Sequence, residues 1–159
     1  MSAPAGEPAV SSRNDPHLLT SRVPAPTASR RQLGNLQCNI DRGEIFFHVA
    51  QLGQTAASLD NATALVALNN STHADIMAMK AGAAGAAEAI KLILTGVLNG
   101  KAANPLFRDA VGGNFTMVLN ALNDLNSTHP TTAALLKTAN TQYTNSLLAA
   151  EGVVNNCDG

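Results

Sequence analysis

Leu36-Gln37-Cys38-Asn39 and, far along the chain, Val154-Asn155-Asn156-Cys157 hold the two cysteines of this 159-residue sequence. Between them lie four segments in which apolar residues recur at helical spacing. Four long helices with short connections favour an up-down-up-down bundle. An even number of antiparallel helices returns the C-terminus to the end where the first helix began. Cys38 and Cys157 would then be neighbours, and a disulfide between them would staple the two ends. The expected fold is an all-α antiparallel bundle of four main helices over residues 32–159, with a disulfide joining its ends. Closing a loop of this length contributes roughly 4–5 kcal/mol in the chain-entropy account.

The spacing predicts a first helix carrying Leu33, Leu36, Ile40, Phe47 and Ala50 towards Leu59, with a break at Asp60-Asn61 and a short apolar piece at Ala64–Leu68. A second helix follows Thr72, whose relation to Asp75 resembles a capping box. It carries Ile76, Met79, Ala83, Ala87, Ile90, Leu94 and Val97 and stops at Asn99-Gly100. Asn104-Pro105 opens the third, a cap residue followed by proline at the first helical position. Phe107, Val111, Phe115, Val118, Leu122 and Leu125 then share one sector of roughly 90°. The fourth runs from Thr132 to about Val154, with Leu136, Ala139, Tyr143, Leu147, Ala150 and Val154 on one face.

Composition narrows the class. Apolar residues make up 45% of the chain, yet many are alanine, with no Trp, one Tyr and four Phe, so the core is built from small side chains. Charged residues are 13%, about half the usual share. The polar surface must therefore be Asn, Thr, Ser and Gln, which suits an extracellular or wall-associated protein. A net charge of -1 implies no long-range attraction to nucleic acid or anionic lipid. No run reaches the roughly 20 clean apolar residues of a membrane span; Ile90–Val97 comes nearest, and Lys91 interrupts it.

Residues 1–31 read differently. They are rich in Ser and Ala, contain Pro8, Pro16, Pro24 and Pro26, and set four arginines against two carboxylates. Without sustained periodicity they are expected to form a disordered basic leader or propeptide. They lack the apolar region of a signal peptide. Arg30-Arg31 at the edge of this segment is a dibasic pair of the kind processing proteases cut, or alternatively two linker arginines before a helix.

The run Ala81-Gly82-Ala83-Ala84-Gly85-Ala86-Ala87 has two readings. Small residues let a neighbouring helix approach closely, or the missing volume leaves an apolar space for an acyl chain. In the second case Gly82 and Gly85 face Phe107, Val111, Phe115 and Val118 on one helix and Leu136, Tyr143 and Leu147 on another. Catalytic groups are scarce. His48, His73 and His129 have no acidic or cysteine partner at ligand spacing, and His48 reads as a flank or interface residue. The cysteines lack the CxxC signature of a zinc or redox site, and Asp41 with Glu44 reads as surface decoration. No enzyme, cofactor or metal site is expected. Acceptor sequons are plentiful. Asn61, Asn70 and Asn126 fall at predicted breaks and could carry sugars, whereas Asn114 borders an apolar face.

The stretch from Arg31-Gln32-Leu33-Gly34-Asn35-Leu36-Gln37-Cys38-Asn39 to Asn156-Cys157 resembles small secreted proteins of fungi. More distantly, the Ala/Leu/Thr/Asn-rich helices are similar to the fungal hydrophobic-surface-binding and cell-wall mannoprotein group, from which the paired end cysteines depart. That resemblance implies a helical protein that binds lipids or coats hydrophobic surfaces. The resulting expectation is a secreted or wall-associated, non-catalytic protein whose partner is a fatty acid, another apolar ligand or a hydrophobic surface. The alternative is a structural or protein-binding module, such as a wall component, a self-associating protein or an effector.

Overall fold

The computed structural model describes residues 35–63 and 70–157; the leader, Arg30-Arg31 and the Ala64–Leu68 piece lie outside the described residues. Four helices make up the fold: α1 (Leu36–Thr63), α2 (Asn70–Leu98), α3 (Pro105–Asp124) and α4 (Pro130–Cys157). Helix α1 packs along α4 and α2, and α2 packs along α3, whereas α3 and α4 touch sparsely. The all-α bundle and its Cys38–Cys157 disulfide are both present, with the two α-carbons 5.0 Å apart across 119 residues.

Helix ends follow local chemistry. Asn35 caps α1, accepting from the Cys38 amide at 3.1 Å, and its side-chain amide donates to the Asn156 carbonyl on α4 at 2.7 Å. At the end of α2, Gly100 adopts φ 73°, while the amides of Gly100 and Lys101 donate back to Val97 and Gly96. This is the left-handed glycine stop anticipated at Asn99-Gly100. Asn104 caps α3 by accepting from Leu106, with Pro105 leading the helix. Helix α4 begins at Pro130, two residues before the expected start, because this proline occupies the same leading position as Pro105.

Two junctions differ from expectation. Helix α1 continues through Asp60-Asn61 to Thr63, and α2 starts at Asn70, which puts Thr72 inside the helix rather than at its cap. Asp60 accepts a 3.0 Å bond from Lys80, which ties the end of α1 to α2, and His73 lies 4.0 Å from the same carboxylate.

The core face of α1 is opposite to the one expected. Cys38, Ile45, Leu52 and Leu59, seven residues apart, point inward with Arg42, Val49 and Ala56 beside them. Leu36, Ile40 and Phe47 face outward, at 75%, 42% and 57% exposure. Apolar residues surround this helix, so spacing alone fits either face. The seven-residue rhythm recurs in Ile76, Ala83, Ile90 and Val97 of α2 and in Leu136 and Tyr143 of α4. On an α-helix a strict heptad drifts by about 20° per repeat. Along α4 the buried set therefore passes from Leu136 and Tyr143 to Ser146 and Ala149, leaving Leu147 and Val154 largely exposed.

Among the described helices, α2 over Thr72–Leu98 is long and apolar enough to cross a membrane. Asp75, Lys80, Glu88 and Lys91 interrupt it, so it meets that measure by length and mean hydropathy and holds no clean apolar run of membrane length. Here Ile76, Met79, Ala83, Ala86 and Ile90 belong to the bundle core. The abundant hydroxyl and amide side chains fold back on the helices. Thr95, Thr116, Thr138, Thr141 and Thr144, with Asn114 and Asn140, donate to the carbonyl four residues earlier.

Candidate functional site

Helix α3 has 20 residues, against 28 or 29 in the other three. It meets α4 through the edge-on contact of Phe115 with Tyr143, whose rings are 5.9 Å apart. Towards the disulfide end the two helices leave a gap, and a cavity of about 260 Å³, partly open to solvent, occupies it. Ile90, Ile93 and Leu94 of α2 line it, with Val111, Gly112 and Phe115 of α3. Ala150, Val153, Val154 and Cys157 of α4 and Ile45 of α1 complete the apolar wall, and Ala103 contributes from the α2–α3 connection. Gly112 adds room, since a β-carbon there would have nothing within 4 Å. The volume lies just below the roughly 300–1,000 Å³ of common ligand pockets and above the ~150 Å³ apolar cavity that holds benzene.

Two arginines join this lining, Arg42 from α1 and Arg108 from the first turn of α3; the lining contains no Asp or Glu. Arg42 is only 6% exposed, and its guanidinium donates to the Asn39 side chain at 3.3 Å. Burial lowers its pKa through desolvation, yet an arginine starts high enough to remain charged at neutral pH. Arg108 is exposed and makes a long 3.4 Å contact with the Ala103 carbonyl.

The wall around Cys157 is fixed by polar contacts. Asp41, expected at the surface, is buried and accepts 2.8 Å bonds from Gln37 and Asn156, while Glu44 is exposed. Gly152 lies against the Asp41 carboxyl group, where a β-carbon would come within 2.7 Å of its carbon. A side chain at 152 would push the carboxylate away, so this glycine lets α1 and α4 approach.

Of the residues expected to line an apolar site, Val111 and Phe115 do line the cavity. Val118, Leu136 and Tyr143 are buried in the core away from it, Phe107 is half-buried, and Leu147 is 37% exposed. Gly82 and Gly85 form the α2–α3 seam. A β-carbon on Gly82 would lie 2.8 Å from the Val118 side chain and 2.9 Å from the Asn114 carbonyl, and one on Gly85 would overlap the Asn114 side chain. The small residues of α2 are thus used for close approach, and the open volume is at the other, splayed pair of helices. The rest of the lining, Arg42 and Arg108 included, was not anticipated as lining. The one available signal was Arg42 in heptad step with Val49 and Ala56, a charge at a core position.

The sequon asparagines are placed differently from one another. Asn61 is exposed in the last turn of α1, and Asn126 is exposed in the connection between α3 and α4, just before Ser127 accepts from the His129 amide. Asn70 begins α2. His48 is half-buried, edge-on to Phe47 at 5.5 Å, and His129 is exposed. Among the described residues no group of three or more His, Cys, Asp or Glu side chains gathers as a metal site would.

The fold and cavity define a disulfide-closed, antiparallel four-helix bundle with an apolar hollow at the stapled end. Compared with protein-family models, curated proteins and solved structures, the chain matches none.

Proposed function

We propose that this is a secreted, non-catalytic protein that takes the apolar part of a lipid or similar ligand into the cavity between α3 and α4. The cavity carries the reading: aliphatic side chains from all four helices line it, and it is partly open. In a core of small, closely packed side chains, such a volume forfeits the dispersion contacts an occupant would restore. The disulfide supports an oxidising compartment. The exposed Asn126 and Asn61 would be available to a glycosylating one.

The test is binding by the full-length, oxidised protein. After exposure to a mixed lipid extract and removal of unbound lipid, denaturation should release one apolar chain per protein, identified by mass spectrometry. Gly112→Leu and Val153→Phe add volume to the lining and should abolish this retention while preserving helicity. Retention unaffected by either change would place the ligand elsewhere, and no retention would refute the reading.

A specific observation also favours adsorption to a hydrophobic surface or self-association. Leu36, Ile40 and Phe47 project from the outer side of α1, with Phe46 beside them at 41% exposure. Replacing Ile40 and Phe47 by Ser should remove adsorption to an alkane-water interface, or dissociate a dimer seen by light scattering. A monomeric protein that does not adsorb would leave this second reading without support.

A further inference from the structure

We propose that the end of the bundle opposite the disulfide is a glycosylated pole, with Asn126 as its principal N-linked acceptor, Asn61 as a second, and Asn114 closed to modification by the fold. This rests on the secreted reading above and adds a covalent modification to it.

The topology gathers acceptor sequons that are far apart in sequence. Cys38–Cys157 places the start of α1 beside the end of α4, and each of these helices has 28 residues, about 42 Å of helix. The end of α1 and the start of α4 therefore share the opposite pole. Asp60, next to Asn61, lies 4.0 Å from His73 in the first turn of α2. Gly82 lies against Val118 and Gly85 against Asn114, so α3 runs antiparallel to α2 and ends beside its first turns. Asn61 in the last turn of α1, Asn70 at the start of α2 and Asn126 in the α3–α4 connection thus meet at one pole, while the cavity lies at the other.

Asn126 has the setting an acceptor needs. It is exposed and lies outside the helices, as do Ser127 and Thr128, which complete its sequon. Among the described residues neither the Asn126 amide nor the Thr128 hydroxyl is held by a hydrogen bond. Asn61 is also exposed, but within a helical turn. In Asn114-Phe115-Thr116 every member is committed. The asparagine amide donates to Ala110 at 2.8 Å and packs on Gly85, Phe115 is buried, and the Thr116 hydroxyl donates to Gly112 at 3.0 Å. A bulky sugar there would part α2 from α3. The donor class is an oligosaccharide carried on a polyprenyl diphosphate. A bond forms between Nδ2 of Asn126 and the anomeric carbon as the bond from that carbon to the phosphate oxygen breaks. The amide gives up one proton, and the lipid diphosphate leaves with the bonding pair.

The experiment sends the full chain, behind an added signal peptide, through a eukaryotic secretory host. Protein from the medium and from the cells is treated with peptide N-glycosidase in heavy-oxygen water, and mass spectrometry reads the labelled aspartate left at each former glycan site. Asn126 should be labelled in most molecules, Asn61 in fewer and Asn114 in none. Asn126→Gln should remove one glycan, seen as a gain in gel mobility. Thr128→Val, which keeps the asparagine but loses the sequon hydroxyl, should do the same. Asn114→Gln should leave the mobility of the glycosylated protein unchanged. Disulfide-bonded protein in the medium with no sugar at Asn126, or with sugar at Asn114, would overturn the proposal and leave the secreted reading standing. A chain retained in the cells with both thiols free would refute the secreted reading and the proposal with it.

Discussion

The Asp41 carboxylate accepts a 2.8 Å hydrogen bond from the Asn156 side chain, one residue before the disulfide-bonded Cys157. Asn35 reaches the Asn156 backbone from the other side. The last turn of α4 is therefore held to α1 by a covalent bond and by polar contacts, and this turn supplies part of the cavity wall. Asp41→Ala should cost about 1–3 kcal/mol in urea unfolding. A double-mutant cycle with Asn156→Ala should show coupling of at least about 0.5 kcal/mol. Strict additivity would mean that the pair is not energetically linked.

Reduction of Cys38–Cys157 should lower the melting temperature by about 10 °C or more, from the loop entropy released and the size of the chain. Helicity at 25 °C should survive, because heptad packing along α1 and α4 remains. An unchanged melting temperature after verified reduction would contradict the role given to the staple.

Two glycines should respond with opposite signs. Gly43→Ala meets nothing within 4 Å and should stabilise by about 0.5–1 kcal/mol through helix propensity. Gly82→Ala drives its β-carbon into Val118 and the Asn114 backbone and should destabilise by about 1–3 kcal/mol. Gly85→Leu, against Asn114, should be more severe still. Stabilisation by Gly82→Ala would show that α2 and α3 are not in close contact there.

Tyr143 is the single tyrosine, and the chain has no tryptophan, so phenolate absorbance reports one site. Burial raises its pKa above the ordinary 10.0 by desolvation. Above pH 10 the unfolded chain therefore loses this proton while the folded protein still holds it. The stability this group contributes is fully present below that pH and is lost as pH rises through the folded-state value. Absorbance and circular dichroism followed together should show a phenolate midpoint above 10, with helicity falling alongside. A midpoint at or below 10 would mean that the ring is not buried against Phe115.

The four-helix count, the caps at Asn104 and Gly100 and the meeting of Cys38 with Cys157 were legible because each is set by local chemistry or by the parity of the helices. The facing of α1 was not. Leu36, Ile40 and Phe47 have the same helical spacing as Ile45, Val49, Leu52 and Leu59, and only packing against α4 and α2 selects between them. Little of the cavity was legible, for a related reason. Val111 and Phe115 follow from the apolar sector of α3, but a hollow arises from the mismatch between a 20-residue helix and its longer neighbours. The Gly82–Gly85 run marks where helices come together, not where they part.

The most direct test of the central claim is the melting temperature of the oxidised full-length protein with and without saturating dodecanoate. Occupation of the cavity between α3 and α4 should stabilise the folded state by mass action, about 2.7 kcal/mol at a hundredfold excess over Kd. The melting temperature should then rise by several degrees, and that rise should vanish in Val153→Phe, whose ring fills the space. No rise in the parent protein, or an equal rise in Val153→Phe, would contradict ligand binding at this site.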